Sequence, residues 1–432
     1  MSFLKIMHNG KQRWSRRNFV ATIAGAGGAS MLAPFTSWAL EINDSKVDKL
    51  VKNTIGIDTH NHIDVPLDTD ELSGPKLDLS GDMKKSGLSA IVMTFATDYK
   101  RNIQPGEAYQ RFLNGLTAMD KSLTDDRIKR AFTLADVEAA HKAQQPTVIQ
   151  AVEGCHFLEG KIERVEVAYK RGLRHLGLLH DSDALVPLGD VYTNPPQFNG
   201  LTDFGKQVIK EANRLGMLID LTHGSDNTIN AALKISTTPI VITHTGLNTQ
   251  VGKNEFMAKM MRPRLISKTQ AKRVADAGGV IGVWTHLSDS ALEYAQNIRA
   301  MADAVGVDHV CIGTDTKLTQ PYRSPNEKGG QPGGGPPPDA NKGNPPNSND
   351  PMNNPNDGPP QGDKERQGPP PGGGNGKRVG ERTNEAWADE KTGFYFAVVD
   401  AMLKGGFNEE EIAKIGGDNY LRVFNTATKH SA

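Results

Sequence analysis

This chain of 432 residues lacks charge imbalance, a supply of cysteine and long apolar runs. The 50 Lys and Arg residues balance 50 Asp and Glu, which removes the general electrostatic case for nucleic acid or an anionic membrane surface as partner. Two cysteines cannot build a disulfide scaffold or a four-cysteine zinc site. No window reaches the ~20 apolar residues that span a bilayer. The Gly-rich first turn of a doubly wound dinucleotide-binding sheet is missing as well. What is present is ordinary for a globular protein: 37% apolar residues exclude wholesale disorder. At roughly 100–200 residues per domain, the length fits two or three domains, or one large barrel.

Two stretches have to be set aside before domains are counted. The N-terminus reads Arg13-Trp14-Ser15-Arg16-Arg17-Asn18-Phe19-Val20, followed by a small-residue apolar run from Ala21 to Pro34 and by Ser37-Trp38-Ala39. Basic region, apolar region and small-x-small cleavage site are the parts of an export signal. The paired arginines after serine resemble the bacterial twin-arginine signal. The expectation is a signal over residues 1–39, cut after Ala39, passage through the twin-arginine export machinery and a periplasmic or otherwise exported mature chain. No cysteine follows the cleavage site, so a lipoprotein is not expected.

Residues 325–374 hold 14 of the 25 prolines and 12 of the 45 glycines, and no Ile, Leu, Val or aromatic residue. Such a segment cannot bury enough apolar surface to offset its ordering entropy, and reads as a disordered surface insertion. Residues 40–432 then read as one domain that the insertion interrupts.

Apolar runs recur at Thr54–Asp58, Ala90–Phe95, Val148–Val152, Leu173–Leu179, Met217–Leu221, Ile240–Thr243, Val280–Trp284 and Val310–Gly313. Segments of helical periodicity fall between them, among them Asp203–Leu215, Asn227–Ile235, Lys268–Ala277 with Ser267 as cap, and Ala291–Val305. Eight strands alternating with helices predict an α/β fold of the (β/α)8 TIM-barrel type. Ala386–Leu403 follows the insertion, and Glu411–Thr426 reads as a closing helix pair packed on the outside. The insertion then follows strand 8, in a loop on the catalytic face.

Seven residues sit at or just past the predicted C-terminal ends of six strands: His60 with His62, Glu153, His180, His223, His244 and Asp315. A barrel gathers those ends around one mouth. The i, i+2 spacing of His60 and His62 on a strand turns both imidazoles to one side. Imidazole and carboxylate together suit zinc or another first-row divalent ion. Four histidines and two carboxylates suffice for two ions if one carboxylate bridges. Two such ions would make a nucleophile from water at neutral pH. His8, His141, His175 and His430 are assigned no role, and His156, His286 and His309 stay open, with structural readings favoured.

These motifs resemble the membrane dipeptidase (renal dipeptidase) family of the amidohydrolase superfamily. The resemblance is carried by Asp58-Thr59-His60-Asn61, Val152-Glu153-Gly154, Gly172 through His180, the block Gly200-Leu201-Thr202-Asp203-Phe204-Gly205, and Asn213 through His223. Thr243-His244, Pro263-Arg264, Ile312-Gly313-Thr314-Asp315 and Gly417 through Phe424 complete it. It implies a two-zinc barrel that hydrolyses dipeptides with a metal-bridging hydroxide, tolerates a D-residue on the C-terminal side, and forms a homodimer. It also implies roles. His60, Glu153 and Asp315 would hold the first ion, with Glu153 bridging to a second held by His223 and His244. His180 would polarise the scissile carbonyl, Arg264 would pair with the substrate's terminal carboxylate, and Asp315 would shuttle the proton.

Two departures stand out. His62 occupies a place where the family usually has Asp; imidazole ligates equally well, so it stays in the metal set. Asp181-Ser182-Asp183-Ala184-Leu185 replaces the Asn-Thr-Pro-Trp-like stretch that often follows the substrate histidine. Two other readings stay open: the same metal site acting on another amide, an ester or a lactone, and a non-catalytic periplasmic binding protein, against which the complete ligand set argues. Cys155 and Cys311 read as two free buried thiols.

Overall fold

The computed structural model describes residues 44–68, 76–98, 104–322, 380–388 and 390–429. The expected export signal and the 325–374 insertion lie outside the described residues. Ten strands form one parallel sheet: β1 Ile57–His62, β2 Ala90–Thr94, β3 Lys129–Arg130, β4 Thr147–Val152, β5 His175–Gly177, β6 Leu218–Asp220, β7 Val241–Thr245, β8 Val280–Val283, β9 Val310–Ile312 and β10 Thr316–Lys317. The spatial order is β10-β1-β2-β4-β5-β6-β7-β8-β9, with the short β3 paired to β4 off this path. β9 and β10 are two halves of one barrel strand. The first half pairs with β8 and the second with β1. Between them Asp315 adopts φ 56° and its N–H donates to the His60 carbonyl at 3.1 Å. That bond carries the ladder from the last strand back to the first, as the predicted (β/α)8 barrel requires.

The first strand begins later than the sequence suggests. Thr54 is tied to the preceding helix Asp44–Asn53 through both its N–H and its hydroxyl, which donate to the Leu50 carbonyl. Extended pairing therefore starts at Ile57, and His60 and His62 lie within β1 instead of beyond it. Five helices among the described residues fill gaps the sequence reading leaves blank: Asp44–Asn53, Leu79–Ser86, Glu107–Asp125, Leu134–Lys142 and Glu255–Met261. Elsewhere the local signals act as expected. Ser267 accepts from Gln270 N–H to cap Lys268–Asp276. Thr202 caps Asp203–Leu215, and Gly216 ends it in the left-handed conformation.

The strand interior is apolar at its lower end. Ile57, Ala90, Ile149, Leu218, Val241, Val280 and Cys311 pack against Tyr420, Leu421, Val423 and Phe424 of the helix Asn419–Thr428. This corrects the outside position expected for the closing helix pair. The last helix covers the end of the barrel where the strands begin, and each fully buried side chain of this size contributes about 1.5–3 kcal/mol. The opposite end, where the strands finish, is left for polar groups. Near it, β7, β8 and β9 approach closely. A Cβ on Gly313 or Gly282 would lie 1.7 or 1.8 Å from the Thr243 carbonyl oxygen, so only glycine permits this contact. Thr59 reaches across from β1 to donate to that oxygen at 3.1 Å. No helix among the described residues is long and apolar enough to cross a membrane. Cys155 and Cys311 are buried and free.

Candidate metal centre

Glu153, the first residue after β4, is the hub of the polar end. Its Oε1 lies 2.9 Å from His223 Nε2, 3.3 Å from His60 Nε2 and 3.5 Å from His244 Nε2. Its Oε2 lies 3.3 Å from both His62 Nε2 and His180 Nε2. That oxygen is buried and receives no aligned hydrogen bond among the described residues. Asp315 Oδ1 stands 3.3 Å from His62 Nε2. The fold thus brings together all seven residues expected at the strand ends. The eighth, Arg264, sits at the end of a short 3-10 turn, Arg262–Arg264, and donates through Nη2 to Asp181 Oδ2.

The outer partners of His60, His180, His223 and His244 settle which nitrogen of each looks inward. Thr243 Oγ1 donates its single proton to Asp220 Oδ2 at 2.6 Å. Its lone pairs are then left to accept from His244 Nδ1 at 3.1 Å and His60 Nδ1 at 3.3 Å. Asp181 Oδ1 accepts from His223 Nδ1 at 2.9 Å, and Tyr192 Oη lies 2.8 Å from the same nitrogen. Asp98 Oδ1 accepts from His180 Nδ1 at 2.7 Å. With these four Nδ1 atoms protonated, their Nε2 atoms face the interior. His60 and His62 Nε2 are 3.3 Å apart, and His223 and His244 Nε2 are 3.2 Å apart.

Lone pairs so close to one another, around a carboxylate oxygen with no hydrogen bond, repel unless a cation is shared among them. The donor set therefore fits divalent metal, with its outer partners holding ring orientation as metal-ligating imidazoles require. Three overlapping trios have ligand atoms within 4.8 Å of one another: His60, His62 and Asp315; His60, Glu153 and His244; Glu153, His180 and His223.

Electrostatics agree with this. Burial would raise the Glu153 pKa, but His180, His60 and His62 hold it well below the carboxylate range. Asp315 is lowered in the same way, burial being outweighed by His244 and His286. Burial works against a proton on His60, yet Glu153, Asp315 and Asp220 push its pKa up to about 9. For His180 burial is overcome by Asp98 and then Glu153, giving about 10. His244 moves the other way, because burial and the neighbouring His60 both disfavour its charge. Protons thus gather where a divalent ion would place its charge.

Several contributors escaped the sequence reading. Asp98 lies past the end of β2 and fits the strand-end criterion that picked the other residues. His286 stands three residues after β8, the same offset as His180 from β5 and His223 from β6. Its Nε2 is 2.9 Å from Asp315 Oδ2, so this histidine, left open in the sequence with a structural reading favoured, stands against a residue of the centre. Thr243, Asp220 and Tyr192 carry no signal of their own, since their role arises from contacts across strands. His156 Nε2 donates to the Ser182 carbonyl at 2.9 Å, and His309 Nδ1 to that of Gly279 at 2.8 Å.

Residues 44–320 match the family described as membrane dipeptidase (peptidase family M19). Dipeptidase verJ of Clonostachys rogersoniana is 27% identical over 196 residues, 44% of this chain and 48% of that protein. The chain thus spans about half the length of this curated relative. Among solved structures, an amidohydrolase from Pseudomonas aeruginosa superposes with a TM-score of 0.62 at 19% identity, covering 89% of this chain and 99% of that one. A metallopeptidase from Rhodobacter sphaeroides, liganded with a phosphinate mimic of the dipeptide L-Ala-D-Ala, gives 0.58 at 16% identity, with 87% and 99% covered. The family M19 dipeptidase AC gives 0.61 at 16%, with 88% and 99% covered. At these identities the superpositions show a shared fold.

Proposed function

Because this chain belongs to the membrane dipeptidase family, peptidase family M19, we propose that it is a metal-dependent dipeptidase that cleaves the peptide bond of small dipeptides. The observation that carries the reading is the convergence of five imidazole Nε2 atoms on the two oxygens of Glu153, one of which has no hydrogen bond among the described residues. His60, His62, Asp315, Glu153, His223 and His244 would hold two divalent ions, zinc by the chemistry of the donors, with Glu153 shared. Divalent ions bound there would lower the pKa of water and polarise a carbonyl.

The remaining work falls to the chain itself. His180, kept protonated by Asp98, donates from Nε2 to the carbonyl oxygen as charge builds on it. Asp315 accepts a proton from the attacking water and passes it to the departing amine, so the C–N bond breaks as the C–O bond forms. His286 holds Asp315 from the other side and fixes the carboxylate plane. Tolerance for a D-residue on the C-terminal side is proposed on the strength of the Rhodobacter sphaeroides relative and its bound mimic. Export by the twin-arginine route, from the pattern in residues 1–39, and a homodimer, from the family resemblance, belong to the same proposal.

Metal analysis combined with dipeptide hydrolysis by the mature protein tests it. About two divalent ions per chain, activity lost on chelation and recovered with zinc, and cleavage of both L-L and L-D dipeptides are expected. Metal-loaded protein that cleaves neither dipeptides nor dipeptide carboxamides overturns the reading.

A further inference from the structure

Arg264 is the residue that the family resemblance assigns to a substrate's terminal carboxylate, and in this chain it already has a carboxylate partner. Its Nη2 donates to Asp181 Oδ2, with the two side chains 15% and 27% exposed. Asp181 is held on its other oxygen too. Oδ1 accepts from His223 Nδ1 at 2.9 Å and from Tyr192 Oη at 3.3 Å. Rotating Asp181 away to free Arg264 would break its bond to His223, a ring of the metal centre. The guanidinium also lies 6.0 Å from the centre of the Tyr192 ring, so it is flanked as well as paired.

The consequences for a ligand differ by its charge. A substrate carboxylate reaching Arg264 would meet the Asp181 carboxylate beside it, and like charges at one locus disfavour binding. A carboxamide matches both partners. Its carbonyl oxygen accepts from guanidinium N–H groups not used by Asp181, and its NH2 donates to the lone pairs left on Asp181. Asp181 stands where the chain departs from the stretch that usually follows the substrate histidine, so the difference belongs to this sequence.

We propose that Asp181 is a specificity-determining residue that turns this end of the site against a free carboxylate, so that the preferred substrate is a dipeptide-like amide whose terminal group facing Arg264 is uncharged, such as a C-terminal carboxamide. This rests on the reading of the site as a peptide-bond hydrolase and narrows its substrate class.

The test uses the full, metal-loaded chain. Hydrolysis of Ala-Ala and of Ala-Ala carboxamide is followed by chromatographic release of alanine. In parallel, calorimetry measures binding of two phosphinate dipeptide analogues, one ending in carboxylate and one in carboxamide. The wild type should favour the carboxamide by about tenfold or more in both kcat/KM and affinity. In Asp181→Asn the side-chain oxygen still accepts from His223 while the charge is gone, and the preference should move toward the carboxylate by about tenfold. Asp181→Ser provides a second variant, and the wild-type comparison needs none. A merely structural role for Asp181 would lower both substrates alike and leave their ratio unmoved.

A wild-type preference for the free carboxylate, or a ratio that neither substitution shifts, overturns the inference and leaves the dipeptidase reading intact. If neither analogue binds and neither amide is cleaved, the dipeptidase reading fails, and this inference fails with it.

Discussion

Thr243 Oγ1 donates to Asp220 Oδ2 at 2.6 Å and thereby presents only lone pairs to its two imidazole neighbours, His60 and His244. One hydroxyl on β7 thus fixes the tautomer of two rings on different strands. Asp220 is itself secured by Thr222, whose hydroxyl donates to its other oxygen at 2.7 Å. Burial opposes the charge on Asp220, but His175, whose Nε2 lies 3.6 Å from Oδ2, and the nearby His244 and His60 hold its pKa low, so it stays an acceptor.

Thr243→Val should therefore weaken metal binding without removing a ligand. A loss of about 10–100-fold in affinity is expected, the usual size for an outer partner of a metal ligand. Asp220 Oδ2, left without its hydroxyl donor while Oδ1 keeps that of Thr222, should also lower stability by about 1–3 kcal/mol. Competition with a chromophoric chelator, together with thermal unfolding, measures both. Unchanged affinity would show that Thr243 does not orient the rings.

Asp98→Asn should act on turnover more than on binding. Asp98 holds the proton on His180 Nδ1 at 2.7 Å and favours the charged ring. Without that charge His180 is a poorer donor to the developing oxyanion. A fall of about 100-fold in kcat with a much smaller change in KM is expected. Metal content should stay at the wild-type level. Equal losses in kcat and metal content would instead make His180 a ligand.

Removing metal should cost stability as well as activity. The apo protein keeps a buried Glu153 amid imidazoles, with one carboxylate oxygen lacking a hydrogen bond among the described residues. At a free ion concentration of about 1,000 Kd, binding contributes about 4 kcal/mol. Calorimetric scans should show Tm falling on chelation and returning with zinc. A Tm independent of metal would contradict the centre described above.

Glu390 offers a test away from the centre. Burial, only partly offset by the Ala386 N–H and Lys85, pushes its pKa up to about 7. Its Oε1 is buried without a hydrogen bond among the described residues. The folded state thus binds this proton more tightly than the unfolded state, so stability is fully present below about pH 4.5 and falls as pH rises toward 7. Glu390→Gln should raise stability by about 1 kcal/mol at pH 8, a figure reduced for the group's partial exposure. The gain should vanish near pH 4. Urea unfolding at both pH values checks this, and an equal effect at both would rule out the titration.

The sequence carried much of the fold, for a physical reason. Strand-like runs and intervening helices are local patterns, so the eight-strand alternation and caps such as Ser267 could be read directly. The strand-end residues were legible because barrel topology turns chain position into spatial position: Glu153, His180 and His223 follow their strands closely. The start of β1 was not legible, because Thr54 is held by the preceding helix through hydrogen bonds that periodicity does not reveal.

The sequence by itself determined the barrel, the residues that gather at its polar end and the metal chemistry they suit, since those follow from local periodicity and ligand type. Only the tertiary structure decided what each of those residues touches. Thr243 facing two imidazoles, His286 behind Asp315 and Asp181 on Arg264 are contacts between strands and loops far apart in the chain. Distances of a few ångströms between such groups are set by closure of the whole sheet, and no local pattern encodes them.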